Sequence, residues 1–334
     1  MRSMTRQGAV FALLLGLSSG HPAAADSSPM AAPRAPAPAA SVRFSAAKAS
    51  LPRISGTQRT LAVVNAAETA AERHLLGREL RVVLDPAQPL AARKTALIAV
   101  KQVAQNGNGE AQFVIGSLYM WGPKHPAAIL PRDLDKAQTY LSNAAVHGWL
   151  EAMAAMAEIE LQTGHPEHAS VWALADYYFS GASKYAAKGY LADLIHRCDQ
   201  RLTKARRDKA LADANVFIAR YQADIRTALS ENKHQPSSCS LRYVSSHKRR
   251  LSEAPGGSGD IPRSGNAMFF VGVDRKGKVA RVIPINSFPS WRVFRITRQM
   301  ARDTRFNPAP ACSATLRWGT MPFDYGSGEY EFNR

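Results

Sequence analysis

GNGEAQFVIGSLYMWG, residues 107–122, and DLDKAQTYLSNAAVHGWLEAMAAMAEIELQTG, residues 133–164, decide how this chain folds. The first run sets Ala111, Val114/Ile115 and Leu118 at helical spacing and closes on Gly122. The second does the same with Ala137, Tyr140/Leu141 and Ala144/Ala145, and closes on Gly148. Helices of this kind bury their apolar stripes only against a neighbour, so the spacing predicts an antiparallel pair. Small residues let the two backbones approach, and a glycine after each helix suits a left-handed cap. The unit recurs. Gly107-x-x-Glu110-Ala111 returns 41 residues later as Gly148-x-x-Glu151-Ala152, and Ala96, Val103 and Ala104 map onto Ala137, Ala144 and Ala145 at the same offset. A weaker echo pairs Glu167-x-Ala169-x-x-Trp172 with Asp135-x-Ala137-x-x-Tyr140. A period near 40 built of helix pairs predicts an α-solenoid; an ordinary alanine-rich bundle is the competing reading.

With Gly116, Tyr119, Asp133 and Lys136 added, the pattern becomes A-x-x-x-x-G-x-L-Y-x-x-G, loop, D-x-x-K-A-x-x-Y-x-x-x-A-A-x-x-G. It resembles the Sel-one-like repeat, a longer relative of the tetratricopeptide repeat. The resemblance implies a short helical-repeat domain over 58–230 that presents a concave protein-binding surface. One unit matches well and its neighbours are degenerate. The loop Pro123–Arg132 is long and carries extra prolines.

Toward the N-terminus the chain reads as an export signal. Arg2 and Arg6 precede the short apolar core Ala9–Leu17, and Ala23-Ala24-Ala25 offers a cleavage site, so 1–25 is expected to be a signal peptide. Nine apolar residues fall far short of the roughly 20 that span a bilayer. The expected location is the periplasm of a Gram-negative bacterium. Residues 26–57, rich in Ser, Pro and Ala and then basic, read as a disordered linker. Two helices are expected between Thr60 and Val103, divided at Asp85-Pro86 and Pro89, and two more over Lys184–Leu202 and Arg206–Leu229. The stripe Ala210, Ala214, Phe217/Ile218, Tyr221, Ile225 and Leu229 suits a terminal helix capping the repeats, with a coiled-coil dimer as the alternative.

Composition changes at 231–262, which is rich in Ser, Pro, Gly, Lys and Arg and reads as a linker. Beyond it, 263–334 reads as strand (Ala267–Val273), turn (Asp274–Gly277), strand (Val279–Ile285), helix (Trp291–Arg305) and strand (Thr315–Phe323). Asp274, Gly277, Val279, Ser287, Phe306, Pro308, Pro322 and Phe323 fall where the C-terminal domain of TonB-type energy transducers has D-x-x-G-x-V, a closing Ser, F-x-P and a terminal P-F. The region resembles that domain over about 60 residues. The likeness implies a small α+β fold whose last strand is an edge that a segment of an outer-membrane transporter pairs with. The expected whole is mainly α: a helical-repeat solenoid followed by a small strand-strand-helix-strand TonB C-terminal-like domain.

The chain carries a formal charge of +17, and residues 231–334 hold 17 basic against 8 acidic side chains. A basic exported protein is drawn to anionic envelope material, such as lipopolysaccharide, anionic lipid or acidic proteins; export argues against nucleic acid. Arg292, Arg295, Arg298, Arg302 and Arg305 recur every three or four residues and are the candidate binding face, with a solvated surface as the plainer reading. Three cysteines in an oxidising compartment make one disulfide and one leftover. Cys239–Cys312 is favoured because each flanks the C-terminal module; the two pairings with Cys198 stay open.

Chemistry is sparse. His165-Pro166-Glu167-His168 is expected to be a solvated turn and not a metal site, and His196-Arg197-Cys198-Asp199 lacks the spacing to act on one substrate atom. No phosphate loop, nucleophile elbow or dinucleotide fingerprint occurs, and no cofactor, metal or catalytic residue is expected. The function expected is a non-enzymatic, exported protein–protein adaptor. The alternatives are an accessory of TonB-linked outer-membrane transport, and an envelope enzyme or enzyme inhibitor whose groups converge only in the fold.

Overall fold

A computed structural model describes residues 70–181, 189–233, 239, 241–245 and 262–326. The expected signal peptide, the Pro/Ala-rich linker, the basic 246–261 stretch and residues 327–334 lie outside the described residues. The described part is mainly helical with a small antiparallel sheet. In order it runs α1 (Ala70–Leu84), α2 (Leu90–Gln105), α3 (Gly109–Trp121), a 3-10 turn (Gly122–Lys124), α4 (Leu134–Val146), α5 (Glu151–Gln162), α6 (Pro166–Phe179), α7 (Tyr190–Asp199) and α8 (Lys204–Lys233). Then come β1 (Tyr243–Ser245), β2 (Ser264–Val273), β3 (Val279–Phe288), α9 (Trp291–Asp303), β4 (Arg305–Phe306) and β5 (Arg317–Gly326). No helix among the described residues is long and apolar enough to cross a membrane.

The motif residues act locally as the spacing implies. Helices α3 and α4 run antiparallel: Gly109 faces His147, Gly116 faces Leu141 and Ala137, and Tyr119 stacks on Tyr140. A Cβ at Gly116 would lie 2.7 Å from Leu141 Cγ, which shows how close the two helices come. Asp133 caps α4 by accepting from Lys136 N at 3.0 Å, and its carboxylate pairs with Lys136 Nζ at 2.8 Å. That pair accounts for the D-x-x-K spacing.

The 41-residue offset is also an offset of hydrogen bonds. After α2, Gly107 N donates to Ala104 O and Asn108 N to Val103 O; after α4, Gly148 N donates to Ala145 O and Trp149 N to Ala144 O. Both glycines hold positive φ, +95° and +80°. Gly122 departs from this scheme. Its φ of 52° with ψ of −128° is not a left-handed cap, because the chain turns there into the 3-10 segment with Gly122 pressed against the Arg132 backbone.

The α8 stripe is spent within the chain. Phe217 sits edge-on to Trp172 of α6 at 4.9 Å, and Ala228 and Leu229 pack on Gly148, so this face is not free for a coiled-coil partner. Helices α6 and α8 run parallel, since Glu167, Trp172 and Tyr178 meet Arg206, Phe217 and Gln222 in turn.

The three-stranded sheet has the order β3-β2-β5, with β2 central and β5 at one edge. Nearly every residue of β2 is buried. Met268 and Phe270 join the helical core together with Ile285 and Phe288, while Ala267, Phe269 and Val271 face α9 with Val293 and Ala301. Covering on both faces is why β2 reads as one apolar run without alternation. Gly265 lets α9 lie close, since a Cβ there would come 2.6 Å from Val293 Cγ2.

Two readings change in this region. Helix α9 ends at Asp303, and Arg305 belongs to β4, so it does not share the helix with the other four arginines. The stretch 231–262 also holds structure: α8 reaches Lys233, and β1 pairs antiparallel with β4. Asn307 secures that pairing, taking Arg242 N on Oδ1 at 2.7 Å and donating its own N–H to Arg242 O. Cys239 and Cys312 lie at bonding distance beside it, S–S 1.98 Å and Cα–Cα 5.1 Å.

Candidate functional site

The helices and the sheet meet at a polar seam, and the seam shapes the concavities on either side. Trp121 Nε1 donates to Asn286 Oδ1 at 2.7 Å, and Asn286 Nδ2 donates to Ser117 Oγ at 2.7 Å. The long loop after α3 inserts His125, which is 2% exposed, between the layers. Ala127 N donates to its Nδ1 at 2.9 Å, so the ring hydrogen sits on Nε2 and is given to Ile285 O at 3.0 Å. Trp291 meets the imidazole edge-on at 5.0 Å. Arg93, 6% exposed, ties the same loop to α1 through Ala127 O and Val83 O. The extra loop length that departs from the repeat pattern therefore adds to the α3 contacts in fastening the sheet to the helices.

One side of this seam opens into a basic cleft of about 630 Å³. Arg78 and Arg81 come from α1, Arg281 from β3, and Arg298 and Arg302 from α9; among the described residues Asp85 is the one acid in the lining. The wall is apolar where it needs to be stiff. Trp318 of β5 stacks on Phe270 at 5.2 Å, and the Arg81 guanidinium sits 5.4 Å from the Trp318 ring centre. Arg298 lies 6.0 Å over Phe294. Stacking fixes these planar groups and leaves their N–H forks to point at something else. Among the described residues the side chains of Arg81, Arg281, Arg298 and Arg302 make no hydrogen bond or ion pair, and the buried Arg81 Nε has no acceptor. Arg78 is engaged with Glu79 at 2.7 Å.

Of the five arginines expected to bind together, the fold brings Arg298 and Arg302 into the cleft. Arg295 is exposed outside its lining. Arg292 lies on the flank toward Tyr325, and Arg305 is tied to the carbonyls of Asp303 and Thr304. Sequence reasoning missed Arg78, Arg81 and Arg281, which stand about 200 residues from α9 or on a different element. The i, i+3 spacing of Arg78 and Arg81 was the one local signal.

The remaining chemistry-bearing stretches are placed as follows. His165 Nδ1 and His168 Nδ1 approach Glu160 Oε2 at 3.2 and 3.7 Å, and Pro166 opens α6 at its first turn. The Glu160 carboxylate, as hydrogen-bond partner, holds His168 above its ordinary pKa. Among the described residues no group of three or more His, Cys, Asp or Glu side chains is placed to hold a metal ion. Arg197 turns away from its neighbours to a buried network, bonding Glu158 Oε1 at 2.5 Å and Asp193 Oδ2 at 2.8 Å, with Tyr190 OH also on Glu158. Cys198 is buried, and burial pushes its thiol up to about 12. No family model, curated protein or solved structure matches this chain, so the site rests on its own geometry.

Proposed function

We propose that this protein is an exported, non-enzymatic adaptor that holds an acidic segment of a partner protein in the cleft between α1, β3 and α9. The observation that carries the reading is five arginines from three elements around one concavity, with a single acid among its described lining residues. Such a lining supplies planar, bidentate donors for carboxylates, and its field draws acidic partners in.

The helical-repeat reading of 58–230 is supported by the glycine-turn hydrogen bonds that recur after 41 residues and by the parallel course of α6 and α8. The TonB-like reading of 263–334 is supported by the strand-strand-helix-strand order and by β5 at the sheet edge. Periplasmic location rests on the N-terminal sequence alone. A second reading, an accessory to TonB-linked transport, draws on that edge: an added strand would run beside β5, which also carries Trp318 of the cleft wall.

The reading is tested with a fluorescent ten-residue glutamate peptide, titrated into the signal-free protein at low and physiological salt. Binding that weakens with salt and is lost in the triple variant Arg81→Ala/Arg298→Ala/Arg302→Ala supports it. Equal binding by the triple variant, or preference for anionic vesicles over the peptide, contradicts it.

A further inference from the structure

A second concavity, of about 520 Å³, lies where α5, α6 and α7 meet the β5 edge, and its charge is opposite to that of the cleft. Glu151, Asp176 and Asp324 contribute carboxyls, and among the described residues no lysine, arginine or histidine lines it. Asp324 is committed on one side, because its Oδ1 accepts from Tyr190 N at 2.8 Å and so caps α7, whose N-cap Gly189 has no side chain to do so. Asp176 is different. It is 9% exposed, makes no side-chain hydrogen bond or ion pair among the described residues, and lines the cavity. A buried carboxyl without a partner costs folding free energy, and that cost is offset when a cation arrives. The rest of the wall is hydrocarbon and phenol: Leu150, Leu191, Pro322, Tyr190 and Tyr325.

We propose that this cavity binds an aliphatic ammonium group, with its charge on Asp176 and its hydrocarbon stem along Leu150, Leu191 and Pro322. The dimensions suit a short alkyl chain, and the Tyr rings add cation–π attraction. The carboxyls do not converge on one point as a metal ion requires, and no metal-holding group occurs among the described residues. The same ammonium chemistry is carried by a free diamine and by a lysine side chain of a partner.

Electrostatics adds a signature. The groups facing Asp176 are Glu151 of α5, Tyr190 of α7, and Asp324 and Tyr325 of β5; Arg292 of α9 acts on Tyr325, and Glu158 and Arg197 act on Tyr190. Burial first, and then the charges of Glu151 and Asp324, raise the Asp176 carboxyl well above the usual range. Burial also raises Glu151 and Asp324. A bound cation favours their ionised forms, so binding releases protons.

The experiment is isothermal titration of the signal-free protein at pH 6 with 1,5-diaminopentane and with N-acetyl-Gly-Lys-Gly-amide, and with 1-pentanol as the uncharged control. It is run in two buffers of different ionisation enthalpy. Binding of either amine with proton release, no binding of pentanol, and a loss of roughly tenfold or more in Asp176→Asn support the site. The stronger of the two amines names the source. Asp324→Asn, which keeps an acceptor for Tyr190 N, serves as a second variant with the same expected direction. Binding of neither amine at millimolar concentration, equal affinity for pentanol, or unchanged affinity in both folded variants overturns the proposal.

Discussion

Acid is expected to loosen the seam between helices and sheet through one residue, His125. Its imidazole is buried, and both nitrogens are committed, Nδ1 as acceptor from Ala127 N and Nε2 as donor to Ile285 O. A second proton has to go on Nδ1, where it faces the Ala127 N–H instead of a lone pair. Burial lowers the pKa from 6.5 to about 4; the hydrogen bond to Ile285 O opposes that shift, and the Arg93 charge adds to it. The unfolded chain therefore binds this proton more readily than the folded one. The His125 contribution is complete above about pH 6.5 and is lost as pH falls toward 4. A shift of that size is worth about 3 kcal/mol in full, and about 2.5 kcal/mol by pH 4.5. The carboxyls of Glu151, Asp176 and Asp324 carry the opposite sign, since raised folded pKa values add stability as pH falls, so the total profile mixes the two. Comparison with His125→Gln cancels that mixture and keeps a donor toward Ile285 O. Urea midpoints are measured for both proteins at pH 7 and pH 4.5. The wild type is expected to lose about 2.5 kcal/mol more than the variant. Parallel pH profiles would refute this account of the seam.

Three further outcomes follow from named contacts. Gly277 holds φ +84°, and a Cβ there would overlap the Phe306 carbonyl oxygen, so Gly277→Ala is expected to cost more than about 2 kcal/mol in thermal or urea unfolding. Gly116→Ala forces Leu141 and the α4 backbone away from α3; a loss of about 1–3 kcal/mol is expected, and no loss would mean the helices do not meet there. Iodoacetamide is expected to label no cysteine in the native oxidised protein up to pH 9 and to label Cys198 alone in urea, because that thiol is buried and the other two are bonded. Native labelling of Cys239 or Cys312 in peptide maps would contradict the pairing.

Local structure was legible wherever one element carried its own signal. Helical spacing located α2, α3 and α4, and the run Ala267–Val273 marked β2 because both of its faces are covered. The turn at Asp274–Gly277 was also local: Asp274 Oδ1 accepts from Lys276 N and Lys278 N, and Gly277 supplies the positive φ. What escaped was held together from a distance. Strands β1 and β4 are three and two residues long, too short to leave a pattern, and exist because Asn307 and the Cys239–Cys312 pair gather the segments. Arginine periodicity ran through Thr304 into Arg305 because side-chain spacing does not register where a helix stops. The cleft draws on α1, β3 and α9, and the carboxyl pocket on α5, α6 and β5. No window along the chain contains either set. His125 looked like one residue of an unusually long loop, and only its burial against Ile285 and Trp291 gives that length a purpose.

The most direct measurement of the central claim is the affinity of the signal-free protein for the ten-residue glutamate peptide, with and without Arg81, Arg298 and Arg302. Three planar donors acting in one cleft are expected to make the triple alanine variant at least about a hundredfold weaker, since each charge-assisted contact is worth about 1.5 kcal/mol or more. The difference is expected to shrink as salt is raised. If instead the triple variant binds as the wild type does while Arg295→Ala, outside the cleft, abolishes binding, the cleft is not where the acidic partner docks.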